Sequence, residues 1–267
     1  TPCASSGDMW INEGMASYSE HLFLEYTYGQ DRYINNVKRN HYAVLRQAHK
    51  REGDYRAISG MPHAYTYGMH VYDKGASVVH NLRHYMGDSL FRKGLHHLID
   101  HYGGQHIQSC EFKEALEEAT GLDLESFFED WVFGAGFPHF ELAASEYNAK
   151  SKQIEVHVLQ KVVGRKAFFK DVPLTVGFWG KNGEFAEKNI LVSNQLTAVQ
   201  LSLNFEPETI ILNPHHRLNQ ARFDQAFWCK KAGKKAVDQV EFEDFEVYQT
   251  YDSIWLHLAL HPVPPSG

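Results

Sequence analysis

Hydrophobic spacing changes character once along these 267 residues, at Phe137-Pro138. Upstream, apolar residues recur every three or four positions, the repeat that puts them on one stripe of a helix. Downstream they alternate with period two, the repeat of a strand with one buried face. A chain that keeps the two patterns apart cannot interleave strands and helices as an α/β fold does. It belongs to the α+β class, with a helical region followed by an antiparallel sheet region.

The helical half reads as a succession of capped segments. Residues 9–28 are periodic, and Gly29 follows at the C-cap position. Glu13, Ala16, Ser17 and Glu20 share one face of this segment and are expected to look away from the core. Residues 31–50 form a second helix, with Tyr33, Val37, Tyr42 and Leu45 as expected core contacts. A polar loop at 51–60 precedes a helix over 72–86, ended by Gly87. Asp88 is placed to cap the next helix, which runs to Tyr102 and stops at Gly103-Gly104. Residues 111–120, stopped by Gly121, and 124–132 are the last two.

After Pro138, alternation picks out six short strands around Phe140, Ile154, Leu174, Ile190, Leu201 and Ile210, with turns such as Lys181-Asn182-Gly183-Glu184 between them. Six strands without intervening helices imply a multidomain α+β arrangement. Residues 1–137 are the helical part, 138–214 an antiparallel β-sandwich, and 215–267 a mixed tail with no assignment. In the tail, 218–228 reads as a helix, 230–235 as a solvated basic loop, and 240–251 and 253–263 as strands.

Composition excludes several functions. A net charge of −7 without a basic, aromatic-studded tract argues against a nucleic-acid partner. No apolar run reaches the ~18 residues of a membrane helix. Cys3, Cys110 and Cys229 form no Cys-x-x-Cys pair and read as free thiols. The 17 histidines include three pairs at helical i, i+4 spacing, His80/His84, His97/His101 and His257/His261. The dipeptide His-Glu never occurs, so none of these is a His-Glu-x-x-His zinc motif. They are expected to be solvated or partly buried imidazoles. The start, Thr1-Pro2-Cys3-Ala4, has neither an initiator methionine nor a basic leader and reads as a cut into a longer polypeptide. Nothing in the sequence indicates a compartment.

Two motifs carry chemistry. Trp10-Ile11-Asn12-Glu13-Gly14-Met15-Ala16-Ser17 and Tyr72-Asp73-Lys74-Gly75-Ala76 together resemble the second half of the active site of the M1 zinc aminopeptidases, the gluzincins. Zinc hydrolases hold the metal with three protein ligands and leave one position open for water. The resemblance implies that Glu13 completes a His, His, Glu zinc site and that Tyr72 donates a hydrogen bond to the oxyanion of the tetrahedral intermediate. A phenol, neutral near pH 7, suits that role. A weaker match, Phe128-Glu129-Asp130-Trp131 to Gly136-Phe137-Pro138, resembles the family segment that leads from the catalytic helices into a β-sandwich.

The sequence also departs from the family. Only twelve residues precede Glu13, too few for the His-Glu-x-x-His helix that supplies two zinc ligands and the catalytic base. The Gly-x-Met-Glu-Asn strand that recognises a peptide N-terminus is missing as well. The expectation is therefore a fragment of an M1 metallopeptidase: zinc cofactor and peptide substrates in the intact protein, the N-terminal part of that protein as partner, and zinc binding weak or absent in this chain alone, which should be inactive. His63, His70 and His80 are the nearby imidazoles that a rescued metal site would need. A noncatalytic binding or scaffold protein with the M1 fold, and a hydrolase with another metal arrangement, are the alternatives.

Overall fold

The computed structural model describes residues 3–221, 226–229 and 234–237. Helix α1 spans Trp10–Tyr28 and ends at Gly29, whose φ of 87° only glycine adopts readily. It buries Trp10, Ile11, Gly14, Tyr18 and His21, while Glu13 and Ser17 are half-buried and Ala16 and Glu20 exposed on the other side. Helix α2 spans Gln30–Ala43, continues through a π turn at Val44–Ala48, and finishes with one turn, α3, at His49–Arg51. Tyr33 and Val37 are buried as expected and Leu45 packs half-buried against the core, but Tyr42 is half-buried and stands outside it. The stripe that continues Tyr33 and Val37 at spacings of four and three passes through His41, Val44 and Ala48, all of them buried. A polar histidine on the stripe hides it from a reading by residue type.

A second π turn, His70–Lys74, leads into α4, Gly75–Tyr102, which is kinked at Gly87 with φ 72° and ψ 156°. Asp88 pairs with Arg83, its Oδ1 accepting from Nε at 2.6 Å. Helix α5, Ser109–Thr120, opens on a reciprocal cap between Gln108 and Glu111 and closes at left-handed Gly121. A single turn, α6, at Glu125–Phe127 and a third π turn at Phe128–Val132 complete the helical part.

The first strand begins at Phe137, where the hydrophobic period changes. Strands β1 (Phe137–Asn148), β2 (Gln153–Val163), β3 (Val172–Gly180), β4 (Phe185–Val192), β5 (Leu196–Ser202) and β6 (Pro207–Leu212) form two antiparallel sheets, β1-β2-β5 and β4-β3-β6. Val156 and Val158 on β2 and Leu174, Val176 and Phe178 on β3 are fully buried. The second sheet continues through β7 (Ala226–Cys229) and β8 (Lys234–Val237). This corrects the tail helix expected over 218–228: residues 218–221 are irregular and β7 pairs with β6. Locally, polar side chains outcompete a helical ladder. Asn213 Nδ2 donates to the Leu218 carbonyl, and the Asn219 N–H donates to Asn81 Oδ1. The expected strands at 240–251 and 253–263, and the pair His257/His261, lie outside the described residues.

Histidines join the helices to the strand region. His41 Nε2 donates to the Gln220 carbonyl at 2.7 Å, His80 Nε2 to the His216 carbonyl at 3.0 Å, and His84 Nε2 to the Pro173 carbonyl at 2.8 Å. His80 Nδ1 accepts from the Tyr33 hydroxyl at 2.7 Å. Of the pair expected to be solvated or partly buried, His84 is partly buried and His80 fully so, both bound to carbonyls, whereas the His97 and His101 rings stack on each other near the surface at 4.0 Å. Cys3 and Cys110 are free thiols. No helix among the described residues is long and apolar enough to cross a membrane.

Candidate active site

Two glycines set the geometry. Where α1 meets the start of α4, a Cβ on Gly14 would lie 2.9 Å from the Gly75 Cα, and one on Gly75 would lie 3.0 Å from the Gly14 Cα. Only hydrogen fits at either position. Gly14 follows Glu13, and Gly75 lies one turn after Tyr72, so the backbone crossing brings the two motifs together. The Tyr72 phenol lies close enough to the Glu13 carboxylate to be perturbed by it. The phenol is held above the usual tyrosine range by partial burial first, then by its interaction with the Glu13 carboxylate and that carboxylate's charge, and last by Tyr67.

The first turn of α1 is fixed from below. Trp10 is buried against Phe112, with ring centroids 5.2 Å apart, and its indole Nε1 donates to Ser109 Oγ at 2.8 Å. Ser109 Oγ donates onward to the buried Asp8 carboxylate at 2.5 Å, as does Ser59 Oγ at 2.6 Å. Asn12 Oδ1 accepts the Cys3 N–H at 2.9 Å. With Trp10 and Ile11 turned inward, the half-buried Glu13 lies in the first turn of the helix, where the positive end of the helix dipole favours a negative charge.

Around Tyr72 the structure assembles charged groups that sequence reasoning passed over. Lys74 is fully buried; burial and then Arg165 push its pKa down to about 7, and its ammonium lies 5.0 Å above the centre of the Phe137 ring. Burial and then Glu52 raise Asp73 to about 6, with Arg51 opposing. Glu52 and His70 are both buried and paired. Lys74 and Asp73 stood inside a motif, which was the available signal. Glu52 stood in a polar loop, where a lone glutamate reads as solvated.

These residues do not by themselves make a zinc centre. Glu13 offers one carboxylate, and no group of three His, Cys, Asp or Glu able to hold a metal occurs among the described residues. Two of the imidazoles that might have helped are committed elsewhere. His70 uses both ring nitrogens on Glu52 and the Arg56 N–H, and His80 uses both on Tyr33 and the His216 carbonyl.

The helical region followed by an antiparallel β region is similar in fold to a solved structure: the crystal structure of Legionella pneumophila aminopeptidase A in complex with aspartic acid aligns with a TM-score of 0.63 at 18% identity, over 82% of this chain and 24% of that one. At that identity the likeness speaks for the fold. Residues 3–131, just under half of the chain, match the peptidase family M1 domain. Among curated relatives, the probable aminopeptidase 2 of Sulfurisphaera tokodaii is 25% identical over 182 residues, 65% of this chain and 22% of its own length. Aminopeptidase N of Escherichia coli is 27% identical over 112 residues, 42% of this chain and 13% of its own length. The chain thus spans less than a quarter of the length of these relatives.

Proposed function

We propose that this chain contributes half of a zinc aminopeptidase site, with Glu13 as one carboxylate ligand and Tyr72 as the donor that stabilises the oxyanion formed when an N-terminal peptide bond is attacked. The observation that carries this reading is the contact of the Tyr72 phenol with the Glu13 carboxylate across the Gly14–Gly75 crossing. A phenol beside a carboxylate that would hold a Lewis acid stands where charge develops on a carbonyl oxygen. The remaining zinc ligands and the general base come from outside the described residues, so the metal-dependent steps belong to the longer protein. Residues 1–137 serve as the helical part of its catalytic domain and 138–214 as a sandwich domain.

Two measurements test this. The purified chain should hydrolyse aminoacyl-anilides no faster than its Glu13→Ala variant; zinc-dependent turnover above that control would refute the half-site reading. In the longer protein, Tyr72→Phe should lower kcat by about 10²-fold with zinc content unchanged. A near-normal kcat would remove Tyr72 from the chemistry.

A further inference from the structure

The geometry points to Glu52 and His70 as a buried clamp that positions Tyr72, an inference that rests on the proposed role of the Glu13–Tyr72 pair. Glu52 is 4% exposed, and a buried carboxylate persists only where it is fully hydrogen-bonded. It accepts from the Met69 N–H, from the His70 N–H at 3.4 Å, and from His70 Nδ1 at 2.5 Å. The other imidazole nitrogen, Nε2, takes the Arg56 N–H at 3.0 Å. A backbone N–H can only donate, so Nε2 is bare and the ring proton sits on Nδ1, facing Glu52. One tautomer and one ring orientation satisfy both contacts.

The clamp closes on the segment that carries Tyr72. The Val71 and Tyr72 N–H groups reach the Gly68 carbonyl at 3.1 and 3.2 Å, and the Asp73 and Lys74 N–H groups share the Met69 carbonyl, both at 2.9 Å. The last of these is the i→i+5 bond of a π turn, a rare form that is often found at functional sites. Support comes from both flanks. Glu52 holds the amides at the head of the turn, and Lys74 Nζ donates to the Arg56 carbonyl at its end. The Arg56 residue is therefore gripped by its N–H through His70 and by its carbonyl through Lys74. Gly68 completes the fit, since a Cβ there would lie 2.5 Å from Glu52 Oε1. No atom of Glu52 or His70 is in the Glu13–Tyr72 contact. They are positioning residues that act through the turn.

The test reads the environment of the Tyr72 ring by 19F NMR, with 3-fluorotyrosine incorporated in the full chain and the Tyr72 line assigned by its loss in Tyr72→Phe. Glu13→Gln supplies the reference shift for a ring deprived of its carboxylate. Glu52→Gln, which keeps volume but loses the charge, and Gly68→Ala, which crowds the carboxylate while leaving Glu52 and His70 intact, should each move the Tyr72 line toward or beyond that reference. The Tyr33 line should stay in place. If Glu52→Gln fails to fold, Gly68→Ala carries the same comparison. Folded variants with the Tyr72 line at its wild-type position would overturn the clamp and leave the Glu13–Tyr72 reading standing. A Tyr72 line unmoved by Glu13→Gln would overturn that reading itself.

Discussion

Lowering the pH from about 7.5 to about 5 should strip this chain of most of its stability, because several buried histidines must stay neutral in the fold. Burial pushes His21 and His41 down to about 4 and His80 to about 3; like charge from Arg39 adds to the effect at His21, while bonds to the Gln220 and His216 carbonyls partly offset it at the other two. A group whose folded pKa lies below its unfolded value takes up its proton first in the unfolded chain. Its stabilisation is complete above the unfolded pKa, about 6.5, and is lost as pH falls toward the folded value. At about pH 5 each of the three costs about 2 kcal/mol, roughly 6 together. Asp73, raised to about 6, works the other way and returns about 1.4 kcal/mol, while Lys74, at about 7, adds a loss of under about 1. The net loss is about 5 kcal/mol, and His70, His84 and His216, also held low chiefly by burial, push in the same direction. Total stabilities of about 5–15 kcal/mol leave little margin for that. Urea titrations followed by circular dichroism at the two pH values measure it directly. His80→Gln should reduce the loss by about 2 kcal/mol. A wild-type loss under about 2 kcal/mol would show that these imidazoles are not held neutral, and the packing argument would fail.

Other substitutions probe the supports of the site. Gly75→Ala should destabilise the chain by about 1–3 kcal/mol in denaturant titration, because the new methyl meets the Gly14 backbone rather than a flexible side chain; a neutral result would contradict the close crossing. Trp10→Phe removes the indole bond to Ser109 and should cost about 1–2 kcal/mol in the same assay, more than the loss of ring area alone explains if Ser59→Ala is costly too. Asp130 is buried and accepts from Arg165 Nη2 at 2.9 Å and from the Lys170 N–H at 2.7 Å, so Asp130→Ala should cost about 3 kcal/mol or more; a loss below about 1 would make the pair dispensable.

Much of the helical half was legible because its boundaries are written in local chemistry. Gly29, Gly87 and Gly121 each adopt a positive φ where a helix ends or breaks, and the strand pattern begins at the residue where β1 begins. The failures have a common cause. The buried stripe passes through His41 rather than Tyr42, which residue type alone does not show, and the 218–228 segment reads as helical because spacing alone does not show its bonds to Asn81 and Asn213. Glu13 and Tyr72 were found through their motifs. Glu52 was passed over, and His70 was considered only as an imidazole for a rescued metal site, because nothing near either of them in sequence marks a buried acid or its partner.

Local spacing alone determined where the chain turns helical, where it becomes strand, and which glycines stop it, since these depend on φ and ψ preferences and on side-chain period within a few residues. It also determined the candidate carboxylate and phenol. Tertiary structure decided everything that depends on who stands next to whom: that Gly14 and Gly75 let Glu13 and Tyr72 meet, that Glu52 reaches back to the turn before Tyr72, and that histidines at 41, 80 and 84 dock on carbonyls of the strand region. The charge state of a buried group and the partner of a buried polar atom are set by residues as many as 179 positions away, as for His41 and Gln220, and no window of the sequence contains both.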